Sequence, residues 1–88
     1  MRIKDGYMLR HIAGSHIVVP VGGTVVDFKG MVVLNDVSAT VWEYLGENRS
    51  RQQIIDYITE IYDIDRVVAE GDIDSLIAQM ESNGVLVS

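Results

Sequence analysis

The spacing of apolar side chains changes at Leu34, and this change constrains the fold more than any other feature of the sequence. Before Leu34, β-branched residues cluster in short runs with a period near two, which favours extended strands. After Leu34, apolar residues recur with a period near 3.6, which is typical of helices. The sequence therefore predicts a block of strands followed by a block of helices.

Four runs in the first block are strand candidates. Gly14-Ser15 is a short loop able to take positive φ and close a hairpin. Pro20 ends the second run because proline cannot donate a hydrogen bond to a ladder. Whether the third run is a strand stays open. The candidate runs are residues 7–13, 16–20, 24–28 and 31–34.

Capping residues divide the second block into helices. Asn35 or Asp36 can cap the first helix, and Gly46 lies where that helix should stop. Ser50 and Gln53 have the spacing of a capping box, in which each residue satisfies a backbone amide of the other. We therefore expect a second helix to begin directly after Ser50.

A third helix is predicted over about residues 66–83, after a connection at residues 62–65 that can cap it. Gly71 lies inside this helix, where glycine costs about 1 kcal/mol relative to alanine. It marks either a later helix start near Asp72 or a bend. Residues 85–87 form an apolar tail that is expected to tuck against the fold. The predicted inward side chains of the helix are Ala69, Ile73, Leu76, Ile77 and Met80.

This order predicts an α+β, winged-helix-like fold. A small antiparallel sheet of three strands, or four if residues 24–28 contribute, precedes three helices. With 88 residues the chain fits one domain, which we expect to span residues 1–88. A domain of this size has a small core, so docking on a partner would help to stabilise it.

Composition excludes several kinds of site. The chain has no cysteine, which excludes disulfides, thiolate zinc sites and cysteine-ligated iron–sulfur clusters. The first residues lack the apolar core of a signal peptide. No apolar run approaches the roughly 20 residues that a membrane helix needs. We expect a soluble, cytoplasmic protein without a membrane contact.

The sequence offers little for catalysis. His11 and His16 are its only histidines, and no third metal ligand is placed beside them, so surface or cross-strand histidines are expected. The acids of residues 63–74 lack the pattern of a calcium loop and fit helix starts and a solvated face better. No serine lies in a nucleophile elbow and no glycine run forms a phosphate loop. The prediction is a protein that is not an enzyme and holds no cofactor or metal.

The charge distribution argues against nucleic-acid binding. Residues 1–34 carry four basic and two acidic side chains, whereas residues 35–88 carry three basic and eleven acidic ones. A helix that reads DNA needs basic contacts to phosphate, and the third helix has Arg66 alone. A winged-helix transcription regulator is therefore an alternative that electrostatics disfavours.

A protein-binding role remains. A sheet with an open edge beside a helix can accept an extended peptide as a further strand. Residues 31–34 could supply that edge or could belong to the core. Composition alone supports both interpretations equally, because buried and groove-lining apolar residues look the same in sequence.

An ordered set of segments in this chain resembles the PqqD-like family. Leu34-Asn35 followed by Val41-Trp42, Leu45 and Gly46 resembles the junction between sheet and first helix in that family. The resemblance extends over roughly residues 7–87. Its later segments are the helix after Ser50 with Ile54-Ile55, the connection Tyr62-Asp63-Ile64-Asp65, and the closing run of Asp72-Ile73, Leu76-Ile77, Met80 and Gly84-Val85-Leu86.

The resemblance implies a three-stranded antiparallel sheet followed by three helices, with no catalytic residue and no cofactor. It also implies a recognition element for ribosomally made, post-translationally modified peptides. Such a domain binds the leader of a precursor peptide along the third strand, in the crevice against the third helix. It presents the leader to a modifying enzyme, often a radical-SAM protein.

Carried onto this chain, the resemblance assigns the peptide-binding edge and the opposite wall to named residues. Met31, Val32, Val33 and Leu34 would form the edge. Asp72, Ser75, Gln79 and Asn83 are spaced to share a polar stripe of the third helix, and Ile73, Leu76, Ile77 and Met80 form an apolar one. The groove is expected at the boundary between these stripes. The predicted contacts are Met31, Val32, Val33, Leu34, Asp72, Ile73, Ser75, Leu76, Gln79 and Met80.

Two questions stay open at this point. The acidic third helix hints at a leader that carries Lys or Arg, although solvated charge is the commoner explanation. An unpaired edge can also pair with a second copy of the chain, so an assembly domain that forms a homodimer is an alternative to the peptide-binding module.

Overall fold

The computed structural model describes residues 1–22 and 32–87. Within them, a three-stranded sheet and three helices form the body of the fold, and two short strands bring the chain ends together. The predicted strand at residues 24–28 and the edge residue Met31 lie outside the described residues. The elements are β1 (Arg2–Ile3), β2 (Tyr7–Ile12), β3 (Ser15–Pro20), β4 (Val32–Leu34), α1 (Asp36–Tyr44), α2 (Arg51–Ile61), α3 (Arg66–Ser82) and β5 (Leu86–Val87).

The turn between β2 and β3 comes one residue earlier than the sequence predicted. Ile12 pairs with Ser15, so the loop is Ala13-Gly14, and both of its residues have positive φ, at 51° and 79°. This is the backbone of a type I′ turn, whose twist matches that of the flanking strands. The predicted loop at Gly14-Ser15 was wrong because Ala13 takes a left-handed conformation that alanine seldom adopts.

The helix caps are those that the sequence indicated. The side chain of Asn35 accepts a hydrogen bond from the Ser38 amide at the start of α1. Both hydrogen bonds of the Ser50–Gln53 capping box are present at the start of α2. The predicted start of the third helix at about Arg66 is confirmed, and the alternative of a later start near Asp72 is wrong. The Asp65 carboxylate accepts from the amide of Val67, at 2.8 Å, so α3 begins at Arg66.

The hydrophobic core lies between the inner face of the sheet and the helices. Val18 and Val32 contribute from neighbouring strands, where they are directly opposite each other. Strand residues alternate between faces, so their neighbour Val33 turns outward. The largest fully buried side chains are Leu45, Ile54, Ile55, Ile58, Ile73, Met80, Val18, Val32, Val41 and Val85.

The two ends of the chain pair with each other, and the sequence predicted the packing of the C-terminal end only. Strands β1 and β5 pair antiparallel, with Ile3 opposite Leu86. The amide of Lys4 donates to the carbonyl of Val85 at 2.8 Å, and Val85 is fully buried. The apolar tail therefore tucks against the fold, as expected, whereas the short strand β1 was not predicted.

Candidate functional site

The free edge of β4 offers the backbone of Val33 to a further strand. No strand among the described residues pairs with that side of β4, because the sheet order is β2-β3-β4. In a hairpin with a two-residue loop, the pair beside the loop exchanges two hydrogen bonds, and bonded pairs then alternate with non-bonded ones. From Ile12–Ser15 onward this alternation directs the backbone groups of Ile17 toward β2 and those of Val18 toward β4.

The partner of Ile17 on β4 is Val33, so this pair is non-bonded. The N–H and C=O of Val33 consequently point to the open edge. The same alternation places Pro20, which lacks an N–H, at a non-bonded position opposite β2, as its chemistry requires. The Val33 side chain lies on the outer face of the sheet and is 54% exposed. A peptide added to this edge would find both its hydrogen-bonding partner and an apolar neighbour there.

A cleft of about 240 Å³ lies between α3 and the start of α1, and it begins at Asn35, the residue that directly follows β4. Asp72, Ser75 and Gln79 are exposed and line it from α3, as their i, i+3 and i+7 spacing predicts for one face of a helix. Leu76 adds the apolar part of the wall. From the start of α1 come Asn35 and Ser38.

The predicted contacts on α3 fall into two groups. Asp72, Ser75, Leu76 and Gln79 come together around the cleft, whereas Ile73 and Met80 are 1% and 0% exposed in the core. These two buried side chains support the wall from behind and do not line it. Val32 and Leu34 are also buried, at 2% and 4% exposure, so on β4 the side chain of Val33 alone among residues 32–34 is open to a ligand.

Sequence reasoning missed Asn35 and Ser38 as site residues. Asn35 was recognised only as a helix cap. Its cap bond to the Ser38 amide fixes the first turn of α1, which lines the cleft. His16 anchors the same junction, because its Nε2 lies 2.8 Å from Oδ1 of Asp36 in the first turn of α1. A signal was present in the sequence, since the residue that follows an edge strand and caps a helix necessarily lies at the corner between them.

The acids of α3 differ in their partners. Arg51 on α2 donates two hydrogen bonds to the Asp74 carboxylate, at 2.7 Å and 2.9 Å. The hydrogen bond from Arg51 holds the pKa of Asp74 below its ordinary value. Arg66 lies 3.5 Å from Glu70. Asp72 has no ion pair within residues 1–22 and 32–87, and it is the acid that faces the cleft.

A family model for coenzyme PQQ synthesis protein D (PqqD) matches residues 16–86, which is most of the chain. The chain belongs to the PqqD family. The resemblance stated from the sequence is thus confirmed, and the match includes β3 from its second residue, β4, all three described helices and the first residue of β5. A comparison with curated protein sequences finds no match.

Two solved structures share the fold of this PqqD-family chain. TbiB1 in complex with the TbiA(beta) leader peptide has a TM-score of 0.74 at 23% identity, over 98% of this chain and 94% of that one. Lasso peptide synthetase B1 complexed with the leader peptide has a TM-score of 0.72 at 21% identity, over 99% and 96%. Identities at this level establish the fold, and the predicted α+β arrangement of a three-stranded sheet and three helices is confirmed.

The PqqD-family sheet has a second free edge, on β2. His11 faces His16 at a non-bonded position, so its N–H points away from β3. A larger cleft, of about 550 Å³, lies near this side, between the loop at residues 4–6, the inner face of β2 and Trp42. Volume alone would favour this cleft, but its lining follows the underside of the sheet. The smaller cleft instead begins at Asn35, directly after the strand whose edge is open.

No group of three or more His, Cys, Asp or Glu in the part of the chain that the structure describes could hold a metal ion. The rings of His11 and His16 pack edge to face with centroids 4.3 Å apart. No helix within residues 1–22 and 32–87 has the length and apolar character to cross a membrane.

Proposed function

We propose that this PqqD-family domain binds the leader segment of a ribosomally made precursor peptide as an added strand on β4. The observation that carries the proposal is the open edge at Val33, whose N–H and C=O point outward two residues before Asn35 in the wall of the cleft against α3. Family membership supports it, as do two relatives of the same fold that are complexed with leader peptides. Backbone hydrogen bonds would supply affinity, and the alternating side chains of the peptide would supply specificity.

The domain acts by binding and not by catalysis. Peptide side chains on one face of the added strand would meet α3, and those on the other would lie beside Val33 on the outer face. A peptide held in one direction and register is delivered to a modifying enzyme at raised effective concentration. That enzyme, for which the family resemblance suggests a radical-SAM protein, is the second partner of the proposal, and the setting is the cytoplasm.

A pair of proline variants tests which edge binds the peptide. Short random peptides displayed on phage are selected on the wild-type protein, and recovered peptides are synthesised for titration. Val33→Pro removes an N–H that points away from β3, so the sheet keeps its own ladder while the new strand loses a hydrogen bond and meets the proline ring. We expect affinity to fall about tenfold or more.

His11→Pro is the matched control, because it makes the same change at the free edge of β2. It should leave the affinity within about twofold. Val33→Ala keeps the N–H and separates the loss of the side chain from the loss of the donor. Loss of binding in His11→Pro with retention in Val33→Pro would assign the peptide-binding edge to β2. Failure to recover any peptide would overturn the proposed function.

Self-pairing through the same edge is the second candidate, because the 54% exposed Val33 side chain and its outward backbone are equally open to another copy. Sedimentation of the protein with and without a selected peptide distinguishes the two. If copies pair through β4, the peptide should dissociate the dimer, and Val33→Pro should be monomeric. A protein that is monomeric at all concentrations retains only the peptide-binding proposal.

A further inference from the structure

We infer that the cleft beside β4 is a subsite for one basic side chain of the bound peptide, a lysine or an arginine, with Asp72 as its counter-ion. The inference rests on the peptide binding proposed above and names the chemistry that the site selects. It requires a negative charge that the fold leaves unused, acceptors arranged around it, and a cavity of the size of a side chain. The structure supplies all three.

Asp72 and Glu81 are the acids of α3 without an ion pair in the part of the chain that the structure describes, and of these two only Asp72 lines the cleft. Two other acids of α3 are neutralised by arginines, Asp74 through two hydrogen bonds from Arg51 and Glu70 through Arg66. Both ion pairs lie on the side of α3 turned to α2, since Arg51 belongs to α2 and Arg66 also bonds Asp56 there. Residues 1–22 and 32–87 place no cation beside Asp72. A basic group that enters the cleft would therefore meet a carboxylate with no competing partner.

The lining provides the acceptors that a cation needs. A lysine ammonium carries three donors and an arginine guanidinium five, so neither is satisfied by one carboxylate. The side chains of Ser38, Ser75 and Gln79 surround the cleft with Asp72, and within the described residues none of these three makes a hydrogen bond. Each contains an oxygen that can accept. Leu76 offers an apolar surface for the methylene stem of the incoming side chain.

The size of the cleft fits one side chain. Its volume of about 240 Å³ lies below the range of about 300–1,000 Å³ that is usual for small-molecule sites. It lies at the Leu34 end of β4, so it can receive only the peptide side chain that points toward the helices at that end of the added strand. The subsite therefore fixes one position of the peptide and leaves its neighbours unspecified.

The N-terminus of α1 opposes this assignment, because helix N-termini favour anions. The fold reduces that effect in two ways. Asp36 places a carboxylate in the first turn, and the Asn35 side chain occupies the Ser38 amide that would otherwise face the cleft. Asp72 thus sets the preference of the cleft for a basic side chain. A preference for an acidic side chain is the measurable alternative.

Selection of displayed random peptides on four proteins tests the inference. Wild type and Asp74→Asn should enrich Lys or Arg at one fixed position, because Asp74 faces α2. Asp72→Asn should lose this enrichment, and Asp72→Lys should replace it with Asp or Glu. For one synthesised peptide, changing the enriched Lys to Gln should weaken binding to wild type about 3–10-fold and to Asp72→Asn less than about twofold. Circular dichroism establishes that each variant is folded.

The outcomes separate this inference from the proposed function. If peptides are recovered without an enriched basic position, or if Asp72→Asn keeps the enrichment, the subsite is wrong while peptide binding stands. Enrichment of Asp or Glu on wild type would also overturn it and would assign the preference to the N-terminus of α1. If wild type recovers no peptide at all, the proposed function fails and the inference fails with it.

Discussion

The two long sides of α3 (Arg66–Ser82) meet different surroundings. On one side Ile73 and Met80 are 1% and 0% exposed and pack into the core between sheet and helices. On the other side Asp72, Ser75 and Gln79 are exposed along the cleft beside β4. Leu76 lies at the boundary between them. A single helix thus carries both residues that hold the fold together and exposed residues of the proposed peptide-binding surface.

This division lets an 88-residue domain keep an exposed polar surface, the proposed binding surface, without weakening its core. Polar groups on the cleft side are solvated, so they need no partners in the unbound protein and impose no burial penalty. The core side carries the free energy of folding through close packing. The two functions are therefore expected to respond independently to mutation, and the predictions that follow test this independence.

The largest expected effect comes from the core side. Met80→Ala removes a fully buried side chain and leaves a cavity, so the free energy of unfolding should fall by about 2–5 kcal/mol. Its neighbour Gln79 is exposed on the cleft side, and Gln79→Ala should change the same quantity by less than about 0.5 kcal/mol. Urea denaturation followed by circular dichroism measures both. A comparable loss in Gln79→Ala would show that the cleft side also holds the fold together.

Gly71 gives a smaller effect of opposite sign. A Cβ built at Gly71 would have no atom within 4 Å, and its backbone is helical without positive φ. Gly71→Ala should therefore raise the free energy of unfolding by about 0.5–1 kcal/mol, because alanine loses less backbone entropy than glycine in a helix. Urea denaturation checks the gain. A net loss would mean that the helix needs glycine at this position, as in a bend.

Much of the fold could be predicted because local signals and tertiary structure agree. The change of period at Leu34 separates sheet from helices, and the Ser50–Gln53 capping box gives the start of α2 directly. The polar stripe of α3 follows from helical spacing, so Asp72, Ser75 and Gln79 were correctly grouped on one face.

The remaining features depend on contacts between distant parts of the chain. The two residues of β1 carry no strand signal of their own and become a strand only through pairing with β5. Ala13 takes positive φ because the register of the hairpin demands it, against the preference of alanine. Spacing also could not distinguish Leu76, which lines the cleft, from Ile73 and Met80, which lie behind it, because all three are apolar on one stripe.

The smallest expected effect is the contribution of the Arg51–Asp74 ion pair, on the side of α3 that faces α2. Hydrogen bonding from Arg51 lowers the pKa of Asp74 from its ordinary value of 3.8. The unfolded chain therefore binds a proton at Asp74 more readily than the folded protein does, and stability from this group rises with pH. Its contribution should be complete above the ordinary value and should disappear as the pH falls through the lower pKa of the folded state.

Thermal unfolding of wild type and Asp74→Asn at a series of pH values measures this contribution. The variant should be slightly less stable near neutral pH, since the pair is exposed to solvent. The difference should shrink in acid, below the ordinary pKa of an aspartate. Asp72→Asn is the matched control, because it removes a carboxylate two residues away that has no ion pair among the described residues, and it should leave stability nearly unchanged at neutral pH. A larger loss in Asp72→Asn than in Asp74→Asn would mean that the cleft side of α3 already uses its charge within the folded protein, and Asp72 would then not be available to a ligand.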